Sequence, residues 1–341
     1  MIPLSVLDLA LAAPGQSHQE AVHDVARTAR AADSAGYHRF WVAEHHNSAR
    51  SAGSSPAVLM AHLASATRRI RIGSGGVMLT NHAPLAVAEQ FAVLQCLHEG
   101  RIDLGVGRAS GGTDTTTLLD RALRRRPEAR GEFPALVAEL IGFLRGAWPA
   151  GHDFAELGLS PRLTTYPDVF VLGTTENGAR VAAAHGLSFA YGAHLGRSKC
   201  RRAALDRYRD TFTAAGHGSR PYVIASLNVL CAPDDGEALR LAEEAAGHAV
   251  RTLHADTSPG TPLAPARERH LVARTLEETG LVLGGPATVA DRLAETAADL
   301  GADELMLVAY DLTAAGRART LRLTAEAHRA RAGAAPAPYA A

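Results

Sequence analysis

The run Glu44-His45-His46-Asn47 places a carboxylate and two imidazoles directly after a short apolar segment. Histidine exchanges its proton near neutral pH, so this run could supply an acid/base group. Because adjacent residues of an extended segment point to opposite faces, His45 and His46 should not both enter one pocket. The spacing of a helical zinc site is missing, so we predict no metal. A histidine–glutamate hydrogen bond that fixes a loop is the alternative.

The pair Gly75-Gly76 lies near the end of another apolar run and is followed by His82. Glycine within a strand marks a bulge or the close approach of another group to the backbone. Two interpretations therefore stay open at this pair. It is either a corner of the fold or a surface on which a flat ligand lies.

Two further clusters could bind an anion. Arg108 follows a small-residue strand end, where a guanidinium can clamp a phosphate or carboxylate, although such an arginine is more often solvated. Thr174, Thr175 and Gly178 belong to a hydroxyl- and glycine-rich turn before a predicted helix. Free backbone N–H groups at a helix N-terminus bind phosphate. An ordinary N-cap by Thr174 or Thr175 would explain the same residues.

All four clusters follow predicted strands, so the elements that position them matter. The predicted strands span residues 2–8, 39–43, 70–79, 101–107, 168–172, 188–192, 222–231 and 304–309. Nearly all are continuous apolar runs, which is typical of parallel strands buried on both faces. Eight strands alternating with helices predict an α/β fold, the (β/α)8 TIM barrel, with active-site residues at the carboxyl ends of its strands.

The helical stretches support this architecture. They are predicted at residues 17–35, 56–67, 84–97, 133–145, 176–185, 197–215, 234–253, 286–300 and 314–331. The first should be capped by Ser17 and closed by Gly36. A doubly wound sheet is the alternative fold, but its GxGxxG fingerprint does not follow the first strand.

Irregular stretches at residues 109–131 and 257–275 are interpreted as βα-loop insertions of the kind that cover active sites. We predict one domain over residues 1–332. An Ala/Pro-rich tail over residues 333–341 is expected to be flexible.

Composition narrows the classes of partner. The 341 residues include 35 basic and 35 acidic side chains, and this balance argues against a nucleic-acid partner. A hydrophobic content of 47% argues against a disordered chain. Three widely separated cysteines predict no disulfide framework, and no run of about 18 apolar residues predicts a membrane span. We therefore expect a cytoplasmic protein without a signal peptide.

Several runs together resemble the bacterial luciferase-like monooxygenases. They are residues 5–10, 36–47, 73–79, 81–84, 88–91 and 100–108. The sequence is most similar to the single-chain branch that includes tailoring oxygenases of aromatic polyketide pathways. The resemblance implies a TIM barrel that holds FMN at the carboxyl ends of its strands.

The resemblance also implies roles for individual residues. His45 matches the active-site histidine beside the flavin, and His82 corresponds to a second active-site histidine. Gly75 and Gly76 match a pair that lies against the isoalloxazine ring and is joined by a cis peptide bond.

For the FMN phosphate, Arg108 matches the arginine that pairs with it. Thr174, Thr175 and Gly178 match the turn that surrounds it. The sequence departs from the family pattern after the arginine, where Ala109-Ser110-Gly111 stands in place of Ala-Pro-Gly.

The activity implied is oxygenation of a small organic substrate by O₂ and reduced FMN, which a separate flavin reductase would supply. The resemblance further implies a homodimer that pairs through the helices at residues 56–67 and 84–97. A deazaflavin-dependent oxidoreductase on the same barrel is one alternative. A non-catalytic flavin carrier is another, although a carrier needs no acid/base residue such as His45.

Overall fold

The computed structural model describes residues 2–108, 116–125, 131–196, 198, 200, 202–258 and 260–334. Its strands are β1 (Leu4–Asp8), β2 (Arg39–Val42), β3 (Arg71–Ser74), β4 (Val77–Met78), β5 (Ile102–Gly107), β6 (Asp168–Gly173), β7 (Ser188–Tyr191), β8 (Val223–Cys231), β9 (Val282–Gly284) and β10 (Glu304–Ala309).

Eight of these strands close into a parallel barrel in the order β1, β2, β3, β5, β6, β7, β8, β10, and β10 pairs with β1. This confirms the predicted (β/α)8 TIM barrel. The short strand β4 continues β3 and pairs with β5, whereas β9 pairs with the far end of β8. The carboxyl ends of the barrel strands therefore meet at one face, where the predicted clusters lie.

The helices surround the barrel. They are α1 (His18–Ala35), α2 (Pro56–Ala66), α3 (Pro84–Leu97), α4 (Thr116–Ala122), α5 (Phe133–Arg145), α6 (Glu176–Ala184), α7 (Ala203–Ala215), α8 (Asp235–Thr257), α9 (Pro265–Thr279), α10 (Pro286–Leu300) and α11 (Ala314–Ala334). Ser17 caps α1, because its side chain accepts from the Glu20 N–H, and Gly36 ends the helix with φ 82°. Within the described part of the chain, no helix has both the length and the apolar character that crossing a membrane requires.

Several predictions about the elements were wrong. The helix expected at residues 197–215 begins only at Ala203, and α4 lies within the stretch expected to be irregular at residues 109–131. The strand expected at residues 70–79 is broken into β3 and β4 at Gly75-Gly76. Part of the loop expected at residues 257–275 is α9, whose residues are all at least partly exposed, so that it lacks a strong apolar pattern. The nearby strand β9 was not predicted at all. Finally, α11 continues to Ala334, three residues beyond the helix end expected at residue 331.

Some predictions fall on parts of the chain that lie outside the described residues. These are the Ala109-Ser110-Gly111 departure, most of the expected insertion at residues 109–131, and residues 335–341 of the tail.

The amino-terminal layer of the barrel interior is filled by buried charges. Arg39 donates from Nε to both Glu304 carboxylate oxygens at 2.9 and 3.0 Å and from Nη1 to Asp103 at 3.0 Å. Asp103 also accepts from Arg71 and from the Trp41 indole N–H. The two carboxylates more than compensate for burial and raise the pKa of Arg39. This network closes the bottom of the barrel and leaves its other end for a site.

Candidate active site

A cavity of about 900 Å³ opens at the carboxyl ends of the barrel strands. Its size lies in the upper part of the range of roughly 300–1,000 Å³ found for ligand pockets. Below it, the barrel interior is filled by apolar side chains that include an edge-to-face pair of Trp41 and Phe170, with ring centroids 4.9 Å apart. The cavity therefore has a dry, apolar floor and polar groups around its rim.

His45 follows β2 and lines this cavity. Its backbone N–H donates to Gly53 O at 2.7 Å, which fixes the chain after the strand. Its ring Nδ1 lies 3.4 Å from the Ser51 hydroxyl, which itself donates to Leu9 O at 2.8 Å. Burial lowers the pKa of His45, and the positive charge of His46 adds to this, while the Glu44 carboxylate opposes it. His45 therefore presents a neutral imidazole at the wall of the cavity.

His46 points away from the cavity, as the alternation of an extended segment predicts. Its Nε2 lies 2.7 Å from Glu44 Oε1, and His82 Nε2 lies 2.9 Å from the same oxygen. The loop-fixing histidine–glutamate pair is therefore formed by His46 and His82 rather than by His45. Glu44 and Met78 line the cavity. His46 and His82, which hydrogen-bond the Glu44 carboxylate, are not among the described residues that line it.

The Glu44 carboxylate is held ionised. Burial opposes its ionisation, but the hydrogen bonds from His82, His46 and the Met78 N–H outweigh burial and lower the Glu44 pKa. The ligand atoms of Glu44, His46 and His82 lie within 4.8 Å of one another. Because both imidazoles already hydrogen-bond the carboxylate, the cluster is satisfied as it stands. His82 is connected to the cavity through its hydrogen bond to Glu44, which lines it. The catalytic role predicted for His82 stays a prediction.

The Gly75-Gly76 peptide bond is cis, as the family resemblance predicts, and both glycines line the cavity. A Cβ on Gly75 would lie 2.5 Å from Leu7 Cδ1, and a Cβ on Gly76 would lie 2.8 Å from Gly105 O. Gly76 therefore requires glycine for the packing of the barrel, because the clash is with backbone, whereas a side chain at Gly75 would have to displace the end of the Leu7 side chain. The corner interpretation is sufficient for Gly76, and the partly buried backbone of both glycines at the cavity is also available to a flat ligand.

The predicted anion clusters meet at one end of the cavity. Arg108, Thr174, Thr175 and Gly178 all line it, together with Arg180. Thr175 occupies the N-cap position of α6, yet its side chain makes no capping hydrogen bond. Residues of the first turn of the helix and two threonines thus line the same space as Arg108 and Arg180, although Arg180 also bonds Glu176 and Asn177 on its own helix. This arrangement suits a phosphate.

Sequence reasoning missed His194, which follows β7 and lines the cavity opposite His45. Its Nδ1 lies 2.6 Å from the Ser226 hydroxyl, and this hydroxyl donates to Tyr191 O at 3.1 Å. Burial, with a smaller contribution from the charge of His45, lowers the pKa of His194 to about 4. The signal was present: a polar residue directly after a predicted barrel strand, which is the rule that found the other clusters.

Comparison with known proteins places this arrangement in a family. The family described as luciferase-like monooxygenase matches residues 2–304. A luciferase-like monooxygenase of Escherichia coli K12 is 39% identical over 238 residues, which are 70% of this chain and 69% of that protein. The crystal structure of apo-MsnO8 is 32% identical, covers 96% of this chain and 99% of that one, and superposes with a TM-score of 0.80.

More distant structures share the fold alone. One is the oxygenating constituent of 3,6-diketocamphane monooxygenase from Pseudomonas putida in complex with FMN, with 19% identity, 96% and 97% coverage and a TM-score of 0.70. Another is the coenzyme F420-dependent tetrahydromethanopterin reductase of Methanopyrus kandleri, with 14% identity, 97% and 99% coverage and a TM-score of 0.69. The barrel by itself is therefore compatible with either kind of flavin-type cofactor.

Proposed function

Because this chain belongs to the luciferase-like monooxygenase family and is an oxidoreductase, we propose that it uses reduced FMN and O₂ to oxygenate a small organic substrate. The observation that supports FMN most directly is the anion site at one end of a cavity large enough for a cofactor and a substrate. A non-catalytic flavin carrier is the weaker alternative, because the chain belongs to a family of monooxygenases.

The phosphate of FMN would lie between Arg108 and the N-terminus of α6. Arg108 is exposed and projects into the cavity, where it can donate two hydrogen bonds to one phosphate. Thr174 and Thr175 add hydroxyl donors, and Gly178 lies in the first turn of the helix. From this end the flavin ring would reach the backbone of Gly75-Gly76, which is bare of side chains.

When bound, reduced FMN supplies the electrons that activate O₂; the protein supplies binding, orientation and a dry site. His45 would accept a proton at Nε2 beside the ring, because its Nδ1 faces Ser51, whose hydroxyl donates to Leu9 O, and burial keeps the imidazole neutral. The apolar floor excludes water below the ring. Glu44, clamped by two histidines, fixes the segment that carries His45.

FMN is proposed rather than F420 because the more similar proteins named here are monooxygenases, whereas the F420-dependent enzyme shares only the fold. The reduced cofactor would come from a separate flavin reductase. The chain carries no nicotinamide-binding fingerprint after its first strand.

Equilibrium titration with FMN and with riboflavin tests this site, since the two ligands differ only in the phosphate. We expect FMN to bind at least about tenfold more tightly, the effect of one or two charge-assisted hydrogen bonds. Equal affinity for the two flavins would show that Arg108 and the α6 turn do not form a phosphate site.

We also propose a homodimer that pairs through α2 and α3. These helices expose large apolar side chains, with Val58 70%, Leu97 64% and Val93 47% exposed. Val58→Glu should give a monomer by light scattering, whereas Leu239→Glu on α8, a matched change at a 46% exposed leucine, should leave the dimer intact. A wild-type monomer at micromolar concentration would contradict the proposal.

A further inference from the structure

A second, small cavity adjoins the cavity of the candidate active site. Leu7 and Leu9 line both of them, so the two spaces are neighbours at the carboxyl end of β1. The small cavity has a volume of about 30 Å³, and one buried water needs roughly 10–15 Å³ of such space. Most of its lining is apolar, and its polar side chains are Asp8, Thr28, Asp311 and Arg317.

Two polar atoms at the small cavity are buried without a hydrogen bond. Asp8 is 5% exposed, and its Oδ1 accepts from the Ala10 N–H at 2.7 Å, but no residue in the described ranges bonds its Oδ2. Arg317 on α11 is 7% exposed, and its Nε has no partner among those residues either. Unpaired buried donors and acceptors destabilise a fold and are rare in native proteins. The pair therefore calls for a group that bonds both atoms.

The remaining polar side chains of the small cavity already have partners. Asp311 accepts from Arg319 Nη2 at 2.9 Å and from the Thr320 hydroxyl at 2.7 Å. The Thr28 hydroxyl donates to Asp24 O at 3.0 Å. The unmet hydrogen bonds at this cavity are thus those of the aspartate on β1 and the arginine on α11.

Water has the chemistry that these two atoms need. Asp8 Oδ2 and Arg317 Nε do not bond each other, although both side chains line the same space. Burial raises the pKa of Asp8, and the charge of Arg317 opposes this rise. The carboxylate oxygen accepts and Nε donates, so the group between them must donate to one atom and accept from the other. Water does both.

Asp8 also fixes the backbone that supports His45. Its Oδ1 closes a turn with the Ala10 N–H, in which Ala10 takes φ 51°, a left-handed conformation that is uncommon for a residue other than glycine. Within this turn, Leu9 O accepts from the Ser51 hydroxyl at 2.8 Å. The Ser51 oxygen in turn lies 3.4 Å from His45 Nδ1. A chain of contacts therefore leads from the small cavity to the imidazole of the candidate active site.

We propose that water bound in the small cavity joins Asp8 Oδ2 to Arg317 Nε, and that Asp8 is a positioning residue, which acts through the Leu9–Ala10 turn and Ser51 on His45. The consequence for oxygenation rests on the proposed function, because it takes His45 to act beside the flavin. The water site and the effect on His45 do not depend on it.

The contact chain sets the tautomer of His45. A carbonyl can only accept, so the Ser51 hydroxyl donates to Leu9 O and accepts from the imidazole, whose proton therefore lies on Nδ1. When the Leu9 carbonyl moves away, the hydroxyl is free to donate to Nδ1, and the ring proton then lies on Nε2. Asp8 thereby controls which ring nitrogen carries a lone pair, a property that a merely structural residue would not change.

A crystal structure of the cofactor-free protein tests the water site. We expect density for one or two water molecules that link Asp8 Oδ2 to Arg317 Nε by contacts of about 2.6–3.2 Å. A direct hydrogen bond between the two side chains, or a cavity without water density, would overturn the proposal.

Nitrogen NMR of histidine-labelled, cofactor-free protein tests the positioning role. Wild-type His45 should carry its proton on Nδ1. Asp8→Ala should move the proton wholly or partly to Nε2, whereas Asp8→Asn keeps an oxygen for the Ala10 N–H and should retain the wild-type tautomer. An unchanged tautomer in folded Asp8→Ala protein, or an equal change in both variants, would overturn this role.

Ser51→Ala keeps the test decisive if Asp8→Ala does not fold. It breaks the chain of contacts at its next link and leaves the buried carboxylate in place, so the tautomer of His45 should change here too. A His45 proton that stays on Nδ1 in Ser51→Ala would overturn the proposal.

Two controls separate this effect from general changes. Arg322→Met removes an exposed arginine of α11 that pairs with Glu326, and it should leave the His45 signals unchanged. The signals of His217, a histidine bonded to Ala183 O outside the active-site cavity, serve as an internal reference in every variant. Movement of the His45 signals in Arg322→Met as large as that in Asp8→Ala would contradict the proposal.

The oxygenation reaction supplies the last readout. Asp8→Ala should lower product yield by roughly 10- to 100-fold, the effect of a slightly misplaced catalytic group, while its FMN affinity stays that of the wild type. Full product yield from a variant with the changed tautomer would overturn the consequence for oxygenation. Failure of the wild type to bind FMN would instead refute the proposed function, and the crystal and NMR tests of the cofactor-free protein would still decide the inference.

Discussion

His45 and His194 face one cavity from opposite walls of the barrel, and each has its Nδ1 against a serine hydroxyl that is tied to a backbone carbonyl. The serines are Ser51 and Ser226, at 3.4 and 2.6 Å from the rings. The strands that carry the histidines are four apart in a ring of eight, so they stand across the barrel from each other. Within the part of the chain that the structure describes, no residue hydrogen-bonds Nε2 of either ring.

His45→Ala should reduce the formation of oxygenated product by roughly 10²–10⁴-fold, the usual effect of losing a positioned acid/base group. The affinity for reduced FMN should change little, because the anion site and the glycine floor are untouched. Product yield and released hydrogen peroxide are measured together with a substrate of the wild-type enzyme, and peroxide should replace product. His217→Ala serves as control. Full product yield from the His45 variant would leave that residue a structural role only.

Arg108→Ala should weaken FMN binding by about 1.5–3 kcal/mol, the range for hydrogen bonds to a charged group. Riboflavin, which has no phosphate, should bind the variant and the wild type alike. Arg145→Ala, at the end of α5, is a control for the loss of one exposed positive charge. Isothermal titration measures all three proteins, and an unchanged FMN affinity in the Arg108 variant would place the phosphate elsewhere.

Acidification should destabilise the protein through His194. Its pKa is about 4 when folded against 6.5 ordinarily, so the unfolded chain binds more protons between these values, and stability falls as the pH drops through that window. The loss between pH 7 and pH 4 should reach up to about 3 kcal/mol. Urea unfolding at both pH values should show a smaller loss for His194→Gln. The same pH dependence in the two proteins would mean that His194 titrates normally.

The charge network at the bottom of the barrel should be sensitive to the loss of its central cation. Arg39→Leu leaves Glu304 without its arginine and Asp103 with Arg71 as its remaining arginine, which should cost about 3–5 kcal/mol of unfolding free energy. Arg331→Leu breaks an exposed pair with Asp291 and should cost less than about 0.5 kcal/mol. Urea denaturation compares the two, and similar small losses would show that the buried network contributes little.

Much of the barrel could be predicted from the sequence because its strands are buried on both faces and read as unbroken apolar runs. The Ser17 cap and the prolines that begin α2, α3 and α10 marked helix starts in the same local way. Helix α9 could not be found by this logic, since none of its residues is buried. Strand β9, three residues long, is too short for its pattern to stand out.

The site residues, like the strands and helices, could be predicted only where the sequence carries a clear local pattern. His45, Arg108 and Thr174 were found because each closely follows a predicted strand and lies in a run of polar or small residues. His194 stands as far beyond β7 as His45 stands beyond β2, but it lies between Ala193 and Leu195, and its partner Ser226 lies within β8, where a serine looks like an interruption of a core strand. The pairing of β7 with β8 brings those two side chains together.

Anaerobic titration of the purified protein with reduced FMN and, separately, with reduced F420 tests the proposed chemistry most directly. The account predicts saturable binding of one reduced FMN per chain, weakened by Arg108→Ala and followed by rapid reoxidation when O₂ is admitted. Tight binding of F420 with no measurable affinity for reduced FMN would contradict it and would make the protein a deazaflavin-dependent oxidoreductase.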